Sequence, residues 1–337
     1  MDTSGRPGIR DLARAAGVSR TTVSHALNGK GRMAPETRDR ILTLAEELGY
    51  RPNVNALHLT QRRAGLLALT SSPSDPIPLG LLDVDYFLAL APAASEAALR
   101  AGYALVLGPT GAASDLWDDL RLDGALVTDP LPSDPFLRAL EARGTPVVTL
   151  GRDVDRADET WWVDSDLEAV MTEALDHLEQ AGARRVGFVS EPPRHSYSID
   201  EHAAYHRWQA ARGRASLVEE AAGNHTEAGF RAAQRMLAAR ERPDAIVTTL
   251  EGLAIGVKLA AETIGLRVPE DLMIVAVSDG SILAQPHTSI TATDLASAEI
   301  GAAAVRLLID RLDGRAPEPR SVRVPSTLRI RASTRRR

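Results

Sequence analysis

Cysteine is absent from the 337 residues. That excludes a disulfide framework, a thiolate nucleophile and thiolate metal ligands, and it fits a reducing compartment. Aromatic side chains are scarce, at 4%, so any core must be aliphatic. Long apolar runs are missing: nothing approaches the roughly 18 residues of a membrane span. The opening "MDTSGRPGIRDL" has no apolar stretch of the signal-peptide kind. No nucleophile elbow, P-loop or Rossmann glycine fingerprint occurs. These absences lead us to expect a cytoplasmic protein with no membrane partner, no cofactor and no enzyme activity.

The length leaves room for two or three domains, each with its own core. The formal net charge of −6 is unevenly spread. Residues 1–63 hold eleven Arg/Lys against six Asp/Glu, a balance of +5, and the remaining 274 residues carry −11. A small basic head on a large acidic body fits either a nucleic-acid-binding module or a solvated extension.

The stretch "GVSRTTVSHALNGKG" decides between these by geometry. A first helix fits Ile9–Ala16, and Gly17 suits the left-handed turn after it. Ser19 can cap a second helix over roughly Arg20–Asn28. There Val23, Ala26 and Leu27 fall on one side at i, i+3, i+4 spacing, with Arg20, Thr21, Ser24 and His25 opposite. Pro35 and Glu36 can open a third helix, whose stripe is Ile41, Leu44, Ala45 and Leu48, ended by Gly49. Two short helices joined by a tight turn and braced by a third make a helix-turn-helix. Its narrow second helix, polar outside, can enter a DNA major groove. A small helical subdomain packed on the body would instead need more apolar residues on that outer face. Next comes "YRPNVNALHLTQRR", where Pro52 breaks the chain and Asn53 can cap a helix too short to stand alone. It is a helix that forms against a copy of itself or a minor groove, or else a flexible linker.

From Gly65 onward, short apolar runs ("LLALT", "YALVLG", "GALVT", "PVVTL", "RVGFVS", "DAIVTT", "LMIVAVS") alternate with helical patterns over Tyr86–Ala101, Leu167–Ala181, Thr226–Arg240 and Leu253–Ile264. This alternation predicts an α/β body with doubly wound parallel sheets, one or two in number. His202 and His206, four apart with His195 upstream, could in principle face a metal. They lack the HExxH order and a third ligand, and a solvated helix face is the reading we adopt.

The chain resembles the LacI/GalR family of bacterial transcription regulators. The resemblance rests on "IRDLARAAGVSRTTVSHALN", "ETRDRILTLAEELGYRPN", "NALHL", "HLEQAGARRVGFVS", "PDAIVTTLEGLAIGVKLAAETIGLRVPEDLMIVAVSD" and "LRIRAST". It implies a helix-turn-helix head over 1–49, a hinge over 50–63, and a body over 64–337 like a periplasmic binding protein. The body's first lobe would take about 64–160 and 291–320, its second about 161–290 and 321–334. It implies a homodimeric repressor on a palindromic double-stranded operator, controlled by a small-molecule effector between the lobes. The rival readings are a ligand-binding protein or an enzyme of the same two-lobed fold that reads no operator.

Carried over by position, Arg20, Thr21 and His25 would read bases. Ser19, Thr22, Ser24, Asn28 and Arg32 would accompany them at the DNA. Asn53, Ala56 and Leu59 would form the hinge contacts, Leu59 entering between base steps. His25 replaces a usual Arg, Ala34 a usual capping Ser or Thr, and Leu57 a common basic residue. For the effector the resemblance points to Asp85, Tyr86, Arg152, Asp200, Glu201, His225, Glu251 and Asp279. Glu201 stands where many members keep an Arg, and Gly151 where many keep an Asp. Carboxylates accept from hydroxyl pairs, so this set is compatible with a carbohydrate.

Overall fold

A computed structural model describes residues 7–27, 33–50, 63–72, 85–108, 120–315 and 319–335. The chain divides into two compact units, 1–64 and 65–337.

In the first unit, helix α1 spans Ile9–Ala16, α2 Arg20–Leu27 and α3 Pro35–Glu47. Gly17 ends α1 in the left-handed region at φ 65°, where its N–H reaches the carbonyl of Arg14. No side chain pays a steric cost there because glycine has no Cβ. Ser19 caps α2: its Oγ accepts from the Thr22 N–H at 3.1 Å. Leu12, Val23 and Ile41 are fully buried, one from each helix, and Ala13, Ala16, Ala26 and Ala45 fill around them. Leu48, expected in the stripe of α3, is instead 38% exposed at the C-terminal end of the helix. Asn28, Arg32, Asn53, Ala56 and Leu59 lie outside the described residues.

The second unit is built on two six-stranded sheets. The first contains β1 Leu66–Ser71, β2 Ala104–Leu107, β3 Gly124–Thr128, β4 Val147–Leu150, β5 Trp162–Ser165 and β11 Ser321–Val324, in the order β11-β5-β4-β3-β1-β2. All its pairings are parallel. The second contains β6 Val186–Ser190, β7 Val218–Glu220, β8 Ala245–Thr248, β9 Met273–Ala276, β10 Thr291–Asp294 and β12 Thr327–Arg329, in the order β12-β10-β9-β8-β6-β7. Only β12 runs antiparallel. Seven of these strands are the apolar runs read from the sequence. β5, β7, β10, β11 and β12 are short and carry Asp, Glu, Arg or Thr among their few residues.

The helices are α4 Asp85–Arg100, α5 Pro135–Ala142, α6 Leu167–Gln180, α7 Ser196–Ala211, α8 Thr226–Leu237, α9 Glu251–Thr263 and α10 Ser297–Leu312. Parallel strands buried on both faces need such crossovers. In the first lobe α4 and α10 lie together over the sheet, with Leu90 and Ala94 meeting Ile300, Ala304 and Leu308. In the second, α8 and α9 approach closely across Gly229 and Gly256. A Cβ on Gly256 would sit 2.3 Å from the Thr226 carbonyl oxygen and 2.4 Å from the Phe230 nitrogen.

The sheets correct the expected lobe limits. β5 belongs to the first lobe although it lies beyond 160, and β11 although it lies beyond 320. β10 belongs to the second lobe although it lies within 291–320. The chain therefore crosses between lobes after Ser165, after Asp294 and after Val324.

Candidate functional site

The head offers one face with the chemistry of groove recognition. On α2 the residues Val23 and Ala26 are buried, while Arg20, Thr21 and His25 are exposed. Ser19 is exposed as well, and Thr22 and Ser24 are half-buried. The Ser19 and Thr22 hydroxyls lie 2.8 Å apart. Short hydroxyls beside an exposed guanidinium and imidazole give donors for phosphate oxygens and base edges along a slender helix. α3 has Ala34 at its N-cap with no side-chain bond, as the sequence implied; Pro35 opens the helix instead. Arg40 braces the turn by donating to the Ala16 carbonyl at 2.9 Å, tying α3 to the end of α1.

In the body, a small cavity of about 70 Å³ lies between the lobes. The first lobe contributes Tyr86 and Phe87 from α4, Asp129 after β3, Gly151 after β4, and Asp164 and Ser165 at the end of β5. The second contributes Tyr197 and Glu201 from α7, Thr249 and Leu250 after β8, and Ser278 after β9. Both sheets thus present the C-terminal ends of their strands, where open α/β sheets bind ligands. Glu201 is 1% exposed, and its Oε2 is buried without a hydrogen-bond partner. Burial is the main reason its carboxyl is held well above the usual carboxylate range. Burial also pushes Asp164 up to about 6, against the opposing pull of the Arg152 guanidinium. The Tyr197 hydroxyl donates to Glu191 at 2.8 Å.

Of the residues singled out from sequence, Tyr86 and Glu201 line this cavity. Arg152 and Asp200 stand at its edge and bind each other, and Arg152 Nε also donates to Asp164 at 3.1 Å. Asp85 accepts from the Ser281 N–H, a contact from the first lobe to the second. Glu251 opens α9, and its side chain lies against Gly280. Two of the residues lie outside this lining. Arg331 binds Asp279 at 2.6 and 2.8 Å, while the neighbouring Ser278 lines the cavity. His225 is exposed at the N-cap of α8, outside the lining. Sequence reading missed Asp129, Asp164, Tyr197, Thr249 and Ser278. Asp129 directly follows an apolar run, and Thr249 and Ser278 close two others, so the strand-end rule was a usable signal for these three.

His202 binds Ser190 at 2.8 Å and His206 binds Ser216 at 2.8 Å. The two imidazoles are thus engaged separately, and no group of three His, Cys, Asp or Glu is placed for a metal among the described residues. No helix among those residues is long and apolar enough to cross a membrane.

Residues 8–53 match the family of bacterial regulatory proteins, lacI family, and residues 175–334 match a periplasmic binding protein-like domain. Catabolite control protein A of Priestia megaterium is 27% identical over 341 residues, covering 97% of this chain and 98% of that protein. The structure of a transcriptional regulator CelR–cellobiose complex superposes with a TM-score of 0.73 at 24% identity, covering 97% of this chain and 100% of that one. The lac repressor dimer bound to operator and an anti-inducer superposes with a TM-score of 0.69 at 21% identity, covering 98% and 99%. The chain thus joins a lacI-family DNA-binding region over residues 8–53 to a periplasmic-binding-protein-like body, and it is a DNA-binding transcription regulator similar throughout to lacI-family regulators.

Proposed function

We propose that this regulator is a cytoplasmic repressor that binds a palindromic operator as a homodimer and is controlled by a carbohydrate or related metabolite held between its lobes. The observation that carries the proposal is the joining, in one chain, of an exposed polar helix face with a cavity at the strand ends of two lobes. In this reading Arg20, Thr21 and His25 read bases, while Ser19, Thr22 and Ser24 hold phosphates and fix the register. His25 brings at most one donor and one acceptor when neutral, so it cannot reproduce the bidentate arginine–guanine pair. The effector would meet Tyr86, Asp164, Tyr197, Glu201, Thr249 and Ser278. Tyrosine faces and carboxylates suit a polyhydroxyl ring, and the cellobiose of the CelR complex supports the same class.

The cavity in this form has room for only about two or three waters. A sugar must therefore enter with the lobes apart, and its affinity for one lobe arrangement over the other is the only free energy it can transmit to DNA binding. A symmetric dimer suits a palindrome because each half-site meets one copy of α2. Selection of bound sequences from random duplex DNA, with and without a pool of sugars, tests this. Enrichment of a palindrome whose recovery changes with the sugars is expected. Salt-sensitive binding with no enrichment under either condition would overturn operator reading and favour a ligand-binding protein of the same fold.

A further inference from the structure

Resting on the effector reading above, we infer that the ligand carries a protonated amine, an amino sugar rather than a neutral or anionic one, and that Glu201 is its counter-charge. Glu201 is 1% exposed, lines the cavity and has no hydrogen-bond partner on the protein for Oε2, so a buried carboxyl oxygen is open to a donor brought by the ligand. The rest of the lining adds Asp129 and Asp164, and it includes no Lys, Arg or His among the described residues. Among the described residues the guanidinium bound to this lining is that of Arg152, already shared between Asp164 and Asp200. A phosphate or carboxylate would find no free counter-charge in this lining, while an ammonium would find an acceptor in a buried, weakly screening site.

Burial keeps the Glu201 carboxyl well above its ordinary range, with Glu191 and Asp200 reinforcing that and the Thr249 hydroxyl opposing it. An ammonium group reverses the balance, because it stabilises the ionised carboxylate at contact distance. The walls fit a sugar ring: Tyr86 and Phe87 stand edge to face on one side, and Tyr197 on the other.

Matched pairs differing in one substituent test this by calorimetry on the full-length protein. The probes are glucosamine against glucose, galactosamine against galactose, and the β-1,4-linked glucosamine disaccharide against cellobiose. Glucuronate and glucose 6-phosphate serve as anionic members. At least one amine member should bind about 10–100-fold more tightly than its neutral partner, and Glu201→Gln should abolish that preference. Equal or tighter binding of the neutral or anionic members would overturn the inference and leave the effector reading standing. An amine preference that survives Glu201→Gln would overturn the role of Glu201. No binding by any member would overturn the carbohydrate reading and this inference together. The wild-type comparison does not depend on how the variant folds.

Discussion

Arg152 and Asp200 bind each other across the two lobes, the guanidinium leaving the turn after β4 and the carboxylate standing on α7. The contact is reinforced next to it, where the Ser196 Oγ at the start of α7 accepts from the Arg152 N–H at 3.0 Å. Both side chains are largely buried, at 14% and 12% exposure. Removing Asp200 leaves Arg152 with Asp164 alone as its counter-ion in a poorly solvated place. Asp200→Asn should therefore cost on the order of 2–3 kcal/mol, somewhat less than a fully enclosed pair. Urea unfolding of the two proteins measures it. An unchanged midpoint would mean that water already replaces this contact in solution.

Asp164 gives the body a pH dependence of definite sign. Its pKa is pushed up to about 6 from 3.8 by burial. Between those values the unfolded chain has released this proton and the folded chain still holds it. Its contribution to stability is therefore full below the lower value, falls as pH rises through the window, and is lost above the upper one. At about 1.4 kcal/mol per pH unit the effect is at most about 3 kcal/mol. The melting temperature of wild type relative to Asp164→Asn should fall between about pH 4 and pH 7. A constant gap would show that Arg152 keeps Asp164 ionised throughout.

The head has a core of its own, so it can be damaged alone. Leu12 is fully buried among Ala16, Val23 and Ile41. Leu12→Ala should destabilise this small core by about 2–5 kcal/mol. Specific DNA binding should be lost while the thermal transition of the body stays in place. Calorimetry with a mobility-shift assay reads both, and a shifted body transition would show that the two units unfold together.

On α2 the exposed polar residues should differ in kind. Arg20→Ala, if Arg20 contacts a base edge, should lower operator affinity by about 1–3 kcal/mol and relax the preferred base at one position of each half-site. Ser19→Ala removes a helix cap worth ~1 kcal/mol, so it should weaken binding to all sequences alike. Repeating the duplex selection with each variant separates the two. An Arg20→Ala preference identical to wild type would assign Arg20 to the phosphates.

Gly256 tests the closeness of α8 and α9. The atoms a Cβ would strike belong to the backbone of the facing helix and cannot rotate aside. Gly256→Ala should cost about 3 kcal/mol through forced separation of the helices, despite the better helix propensity of alanine. Thermal denaturation checks the sign, and a stabilised variant would mean that the pair moves apart freely.

How much of this was legible beforehand follows from the range of the forces involved. The helix-turn-helix depends on contacts within one short segment: a glycine turn, a serine cap and an i, i+3, i+4 stripe. The sequence alone therefore determined α1 to the residue and which side of α2 faces out. The seven apolar strands were legible for the same reason: all but the edge strand β2 are buried on both faces and so are largely apolar throughout. Strands such as β10 and β11 are short and mixed in composition, so their existence and their lobe depended on which distant strand they joined. Asp279 and Ser278 show the limit most sharply. Both follow β9, and nothing local decides which one faces the cavity; Arg331, 52 residues away, draws the carboxylate aside. Tertiary structure likewise decided that Arg152 and Asp200, 48 residues apart, engage each other, and that Glu201 has no partner at all for Oε2. A charge takes its partner from whatever the fold brings near, and burial, which sets its protonation, is a property of the whole packed body.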